Sequence, residues 1–316
     1  MALLIVGCSV VDVIFTDVRR LPAWPTHTEF TPRNLELVDQ PPLVTIGGNG
    51  ANAAYAVAQC GAPTLLHSNL GRDTLGEIAR RWLVDSGCKI EPGSAAHTAV
   101  NVTVSNARLQ RATVFYPGST PTLPTWRPKS ATRNLALVCG WPHPSPAQLA
   151  RHFRLWQKAG VFTAIDAGPI LGPAPTLTAL SPALAHLDLF LANEHEVLAL
   201  TRKPTLAAAL VTMRRHFSGH VVIKLGARGA TWLPAGQATR RRLPGQRVRA
   251  INTVGAGDVF NGVLLAALTR STDFPAALRQ ANAAAASVVS SSRGVLGLRV
   301  PRRSPDWRKS MPRRKN

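Results

Sequence analysis

The chain has 316 residues, 45% hydrophobic and 17% charged, which fills a core and argues against a disordered chain. Its 37 Lys and Arg outnumber 16 Asp and Glu, for a net charge of +21. No run approaches the roughly 18 uncharged apolar residues of a membrane span, so no membrane role is expected. The four cysteines (Cys8, Cys60, Cys88, Cys139) are widely spaced and form no Cys-x-x-Cys pair. They suggest neither a disulfide framework nor a zinc site and suit a reducing cytoplasm.

In chain order, Leu3 to Gly7 reads as a buried first strand rather than a secretory leader. Segment 13–46 is dotted with prolines and has short alternating stretches, the texture of edge strands and turns. Asn49 to Gln59 is alanine-rich and helical, and Gly61-Ala62-Pro63 stops it. A strand at 64–70 and an amphipathic helix at 74–86 follow. Segments 98–104 and 112–116 alternate and pair as a hairpin around Asn106. Beyond a proline-rich stretch, strands at 135–139, 161–165, 187–191 and 220–224 alternate with helices at 146–159, 194–200 and 205–217. Helices at 259–269 and 275–290 close the series. This rhythm predicts a mostly parallel sheet with helices on both faces. Segments 13–46 and 97–117 fall outside it and could pair as a small separate sheet.

The excess charge is concentrated. Residues 299–316 hold eight basic residues and one acid, and Arg240, Arg241, Arg242, Arg247 and Arg249 form a second cluster. Such charge attracts polyanions but specifies no chemistry. It fits a solvated basic surface or, through the tail at 302–316, contact with nucleic acid.

Two glycine-rich entries into helices carry the chemical signal. In Asn252-Thr253-Val254-Gly255-Ala256-Gly257-Asp258, small residues let backbone N–H groups converge at a helix N-terminus, a nest for phosphate oxygens. Asp258, in the first turn, is placed to accept the proton of an attacking hydroxyl; the alternative is a plain capping Asp. In Gly47-Gly48-Asn49-Gly50-Ala51-Asn52 the glycines permit close approach and the asparagines can bind hydroxyls. Asn193 and Glu196 follow a strand at a spacing of three, as magnesium or phosphate ligands or as a capping box. Lys224 to Gly229 reads as a backbone-lined turn, and Asp166 ends a strand where the ligand crevice of such sheets lies.

The order of these segments resembles the PfkB family of sugar and nucleoside kinases, the ribokinase-like group. Gly47 to Gly61 is similar to its first signature and Asn252 to Gly262 to its second. Gly71 to Gly76 resembles its GxDxxG turn, Asn193 to Glu196 its NxxE motif, and Lys224 to Gly229 its nucleotide turn. Gly7 to Asp12 and Ala281 to Gly294 resemble its substrate loop and adenine-side helix. The resemblance spans residues 3–301 and implies a three-layer α/β/α sandwich with a small β-sheet lid. The kinase domain would cover 1–301, with the lid from 13–46 and 97–117, and 302–316 would be a disordered tail.

The resemblance implies ATP and Mg2+. Asp258 would be the catalytic base, with Gly255, Ala256 and Gly257 as the anion hole. Asp12, Gly48, Asn49 and Asn52 would hold the sugar or nucleoside. Asn193 and Glu196 would act through magnesium, Glu196 indirectly, and Lys224, Gly226, Gly229 and Asn282 would line the nucleotide side. It also implies pairing of two copies through the lid. Three positions depart from the pattern. Asn252 replaces an Asp that helps bind an activating monovalent cation, which puts potassium activation in doubt. Val10 stands where ribokinase has a ribose-binding Asn, and Cys139 to Pro142 lacks a sugar-binding Glu. Both losses argue against D-ribose. Trp141 and Phe115 are the candidates for an apolar wall, and Arg33, Arg108 and Arg111 for acidic-sugar contacts or plain solvated charge. A second reading is a weakly catalytic, metabolite-binding regulator of the same fold that reaches nucleic acid through its tail.

Overall fold

The computed structural model describes residues 3–19, 35–91, 95–108, 110–119, 123–124, 134–141, 145–170 and 175–300, with residues 141, 169 and 170 described by their backbone. The tail at 302–316, Arg33 and the side chain of Trp141 lie outside that description.

Among the described residues, nine strands form the large sheet: β1 (Leu3–Val6), β4 (Thr64–His67), β5 (Lys89–Glu91), β8 (Leu135–Trp141), β9 (Phe162–Ile170), β10 (Leu189–Asn193), β11 (His220–Lys224), β12 (Ala230–Leu233) and β13 (Arg241–Leu243). Their order is β13-β12-β11-β10-β9-β8-β1-β4-β5. All pairings are parallel except those of β12 and β13 at one edge. The alternation in β1 shows why the sheet is covered twice. Leu3 and Ile5 enter one apolar cluster, with α1 (Asn49–Gln59), α7 (Ala256–Leu268) and α8 (Phe274–Val289). Leu4 and Val6 enter the other, with α3 (Pro146–Lys158), α4 (Leu177–Leu184), α5 (Glu194–Thr201) and α6 (Leu206–His216). A strand apolar at every position is buried on both faces. The result is the expected α/β/α sandwich.

Four elements were not expected from the sequence: β5, α4, β12 and β13. The strands are three or four residues long; β5 and β13 are the sheet edges, β12 lies next to β13, and Arg241 and Arg242 of β13 are exposed. Pairing, not an apolar period, makes them strands. In α4 the eight residues include Pro182, and the helix survives because Leu177, Leu180, Ala183 and Leu184 are buried.

The second sheet has the order β3-β2-β6-β7, from β2 (Val10–Phe15), β3 (Leu43–Gly47), β6 (Ala99–Ser105) and β7 (Arg111–Tyr116). It is the small separate sheet that the sequence suggests, except that it begins at Val10, so Asp12 lies in a strand and not in a loop. Paired residues share a face. Thr45, Asp12 and Asn101 form one polar row, continued by Phe115; Val44, Val13, Val102 and Val114 form an apolar row on the opposite face. Val44, Val114 and Tyr116 on that face are exposed. The turn expected at Asn106 closes through its Oδ1, which accepts N–H groups of Arg108 and Gln110. Arg108 and Arg111 are exposed there, as solvated charges would be.

The Gly71–Gly76 turn ties the two sheets together. Asp73 caps α2 (Thr74–Asp85) by accepting the Gly76 N–H at 2.9 Å. Its carboxylate also accepts the Thr98 N–H at 2.8 Å and the Thr98 hydroxyl at 2.6 Å, immediately before β6. A Cβ on Gly71 or Gly76 would overlap Thr98, so this junction requires both glycines.

Candidate active site

The N-terminus of α7 is shaped by Gly255, which has φ 77° and is not capped by a side chain. A Cβ there would overlap Val295 Cγ2, so only glycine can make this turn. The amides that follow, through Gly257 to Asp258, point out of a helix start whose dipole is uncancelled, an anion-binding arrangement. Asp258 Oδ2 accepts a 3.0 Å hydrogen bond from Asn52 Nδ2 of α1. Burial pushes the Asp258 carboxyl up to about 6; Asn52 and Lys224 pull it down, and Asp166 and Asp12 push it further up.

Behind this turn stands a charge cluster built around the buried Asp166. Lys224, the last residue of β11, donates from Nζ to Asp166 Oδ1 at 2.9 Å and to Asn261 Oδ1 at 3.3 Å. Burial disfavours its ammonium, yet Asp166, Glu196 and Asp258 together hold its pKa above the ordinary value. Asn193 caps α5, and the capping box is complete: Asn193 Oδ1 accepts the Glu196 N–H, while Asn193 N–H and Nδ2 donate to the Glu196 carboxylate at 2.7 Å each. The amide of Asn193 is therefore spent on holding Glu196. A Cβ on Gly168 would overlap that carboxylate. Burial, then the charge of Asp166, pushes Glu196 up to about 7.

These groups line one cavity of about 740 Å3, together with Gly226, Gly229, Asn282, Ala285 and Val289. Gly226 and Gly229 have φ 59° and 87° in a tight turn closed by the Leu225 N–H on the Gly229 carbonyl. Asn282 of α8 donates to the Pro244 carbonyl at 3.3 Å and so fixes the loop across the cavity.

The remaining expected residues form a second group that does not line this cavity. Asp12 is buried, and Asn101 Nδ2 donates to its Oδ1 at 3.0 Å. Burial pushes Asp12 up to about 6, with the Asn101 bond opposing. Asn49 is used by the backbone: its Oδ1 accepts the N–H of Cys8 and Gly50, and its Nδ2 donates to the Gly168 carbonyl. Gly48, at φ 83°, lies against the Cys8 carbonyl. Asn52 joins the groups through Asp258, and its Oδ1 is buried with no partner among the described residues. Asn101 and Asn261 are the polar partners that the sequence reading missed. A lone Asn in an alternating strand or an apolar helix gives no signal until register and helix packing place it. No cluster of three or more His, Cys, Asp and Glu that could cage a metal occurs among the described residues.

An uncapped helix start, a half-buried carboxylate at its first turn and a wide cavity beside both suit a phosphotransferase with an alcohol acceptor. Residues 25–299 match the pfkB family carbohydrate kinase family, and the chain belongs to that family. It is 26% identical over 297 residues to the deoxyribokinase of Salmonella typhi, covering 89% of this chain and 90% of the relative. Among solved structures it is similar to Arabidopsis thaliana ribokinase complexed with ribose and ATP, at TM-score 0.72 and 21% identity, covering 95% and 96% of the two chains. It is also similar to a fructokinase double mutant from Vibrio cholerae with fructose, ADP and potassium, at TM-score 0.71 and 20% identity, covering 94% of each. No helix among the described residues is long and apolar enough to cross a membrane.

Proposed function

We propose that this protein transfers the γ-phosphoryl group of ATP to a primary hydroxymethyl group of a sugar, sugar acid or nucleoside. The observation that carries the reading is Asp258, half-buried at the first turn of the uncapped α7 and held at 3.0 Å by Asn52. Asp258 takes the proton of the attacking hydroxyl as the phosphorus–oxygen bond forms. The amides of Gly255, Ala256 and Gly257 receive the charge on the transferring group, and ADP leaves on the opposite side, in line. Lys224, beside Gly257, adds a fixed positive charge; a Cβ on Gly257 would lie 3.5 Å from its Nζ. The polar row of the small sheet, with Asp12 and Asn101, binds substrate hydroxyls, and the unpaired Asn52 Oδ1 is a further acceptor for one. Closure of this sheet as a lid excludes water and limits hydrolysis.

Magnesium fits the cavity in an indirect role. Glu196 and Asp166 crowd negative charge around one ammonium, and the donors are oxygens, as a hard cation prefers. When bound, magnesium would neutralise phosphate charge; Glu196 would orient its water. The buried Val10 offers no hydrogen bond to a sugar, which supports a substrate other than D-ribose. Four free thiols fit a cytoplasmic enzyme. The exposed Val44, Val114 and Tyr116 support pairing of two copies through the small sheet.

The test is a screen for ADP release from Mg-ATP over sugars, deoxy sugars, sugar acids and nucleosides. Asp258→Asn should cut kcat by orders of magnitude and leave ATP binding intact; near-normal turnover in that variant would overturn the assignment. The net charge of +21 favours a second reading, a regulator that binds nucleic acid through its tail. It requires steeply salt-dependent binding that is lost on deleting residues 302–316.

A further inference from the structure

The ribokinase-like resemblance implies a monovalent cation beside the catalytic loop, held partly by an Asp at the position of Asn252, and the similar fructokinase structure contains potassium. The residues here do not fit such an ion. Asn252 is buried, at 6% exposure. Its Oδ1 already accepts the Val254 N–H at 3.0 Å. Its other polar group, Nδ2, is a donor that is buried with no acceptor among the described residues. A cation site needs converging oxygens, preferably one with full charge; this position offers one neutral oxygen, already accepting the Val254 N–H, and a partly positive N–H. The loop is also fastened without an ion. The backbone N–H groups of Ile251 and Asn252 both donate to the Val289 carbonyl at the end of α8, at 2.8 and 3.2 Å.

We infer that the loop from Asn252 to Gly255, which leads into the anion nest, is set by hydrogen bonds in place of a monovalent cation, and that Asn252 is the positioning residue. Its Oδ1 to Val254 bond fixes the turn before Gly255. Substitution by Asp would bury a carboxylate that needs a counter-charge and would create dependence on a cation that the natural protein lacks. The activity arm of the test rests on the kinase reading; the binding arm does not.

The full chain is compared in KCl and in choline chloride at equal ionic strength, by thermal unfolding and, with the substrate found in the screen, by turnover. The natural protein should give the same Tm and the same rate in both salts. Asn252→Asp should unfold at lower temperature in choline chloride and recover in KCl, by on the order of 5 °C when the ion is at a hundred times its Kd. Its turnover should rise several-fold with potassium. A saturable, potassium-specific rise in Tm of the natural protein would overturn the inference, and that arm stands by itself should the variant not fold. A folded Asn252→Asp variant indifferent to potassium would overturn the role given to this residue. Loss of all kinase activity with the Tm pattern intact would refute the kinase reading and leave this one standing.

Discussion

The bond between Asn52 and Asp258 makes a quantitative prediction about pH. With its carboxyl pushed up to about 6, Asp258 is a base at pH 8 and mostly protonated at pH 5. At saturating Mg-ATP and substrate, kcat should therefore fall by roughly tenfold from plateau to pH 5. Asn52→Leu keeps the volume and removes the 3.0 Å bond that favours the ionised form. A hydrogen bond to a charged group contributes about 1.5–3 kcal/mol, which is one to two pH units at about 1.36 kcal/mol each. The acid limb should then move to between about 7 and 8. Glu196, pushed up to about 7, also titrates here, so the limb reports a pair of groups. Asn52 bonds to Asp258 rather than Glu196, and the shift between natural protein and variant isolates the base. The assay is direct quantification of ADP by chromatography from pH 5 to 9, with substrate raised to saturation for the variant. A profile flat to pH 5, or a limb that does not move in Asn52→Leu, would refute the reasoning.

Other variants probe the same cluster. The folded pKa of Asp258 lies above that of an unfolded Asp, so the folded state holds its proton more tightly and loses stability as pH rises from about 4 to 6. Asp258→Asn should accordingly raise Tm over the natural protein at pH 8 and give no gain at pH 4, by calorimetry. Lys224→Met leaves Asp166, whose side chain is 3% exposed, without its partner, and should cost about 3–5 kcal/mol in urea unfolding. Adding Asp166→Asn should return much of that loss; a double variant as unstable as the single would contradict the pairing. Gly255→Ala must adopt φ 77° and displace Val295, so it should lose about 1–2 kcal/mol for the backbone alone and most of kcat. Asp73→Ala removes the cap of α2 and both bonds to Thr98. It should lose at least the roughly 1 kcal/mol of a cap and raise the KM for the phosphoryl acceptor more than that for ATP.

Much of the fold was legible because local chemistry repeats along the chain. Leu3 to Val6 and the alternation of strand and helix announce a doubly covered sheet, and the glycines at 48 and 255 mark turns where a side chain would collide. The edge strands β5 and β13, and β12 beside β13, were not legible. They are three or four residues long, too short for an apolar period to show, and their pairing makes them strands.

The site divides in the same way. Asp258, Asn52, Glu196 and Lys224 stood out from the sequence as polar residues at the ends of strands and the starts of helices. Their working relations did not. Asn193 read either as a ligand contact or as a capping box, and the structure shows the box, with Asn193 holding Glu196; Asn49, read as a hydroxyl contact, bonds the backbone near Gly7. Asp12 looked like a loop residue and is a strand residue facing Asn101. The sequence by itself determined which side chains can bind phosphate or move a proton, because residue type and local turn geometry suffice for that. Only the tertiary structure decided which carboxylates lie together out of water, and hence that the carboxyls of Asp258, Asp12 and Glu196 are all pushed above the ordinary carboxylate range. Burial and Coulomb interaction depend on distances between β2, β9, α5 and α7, and those distances are set by packing.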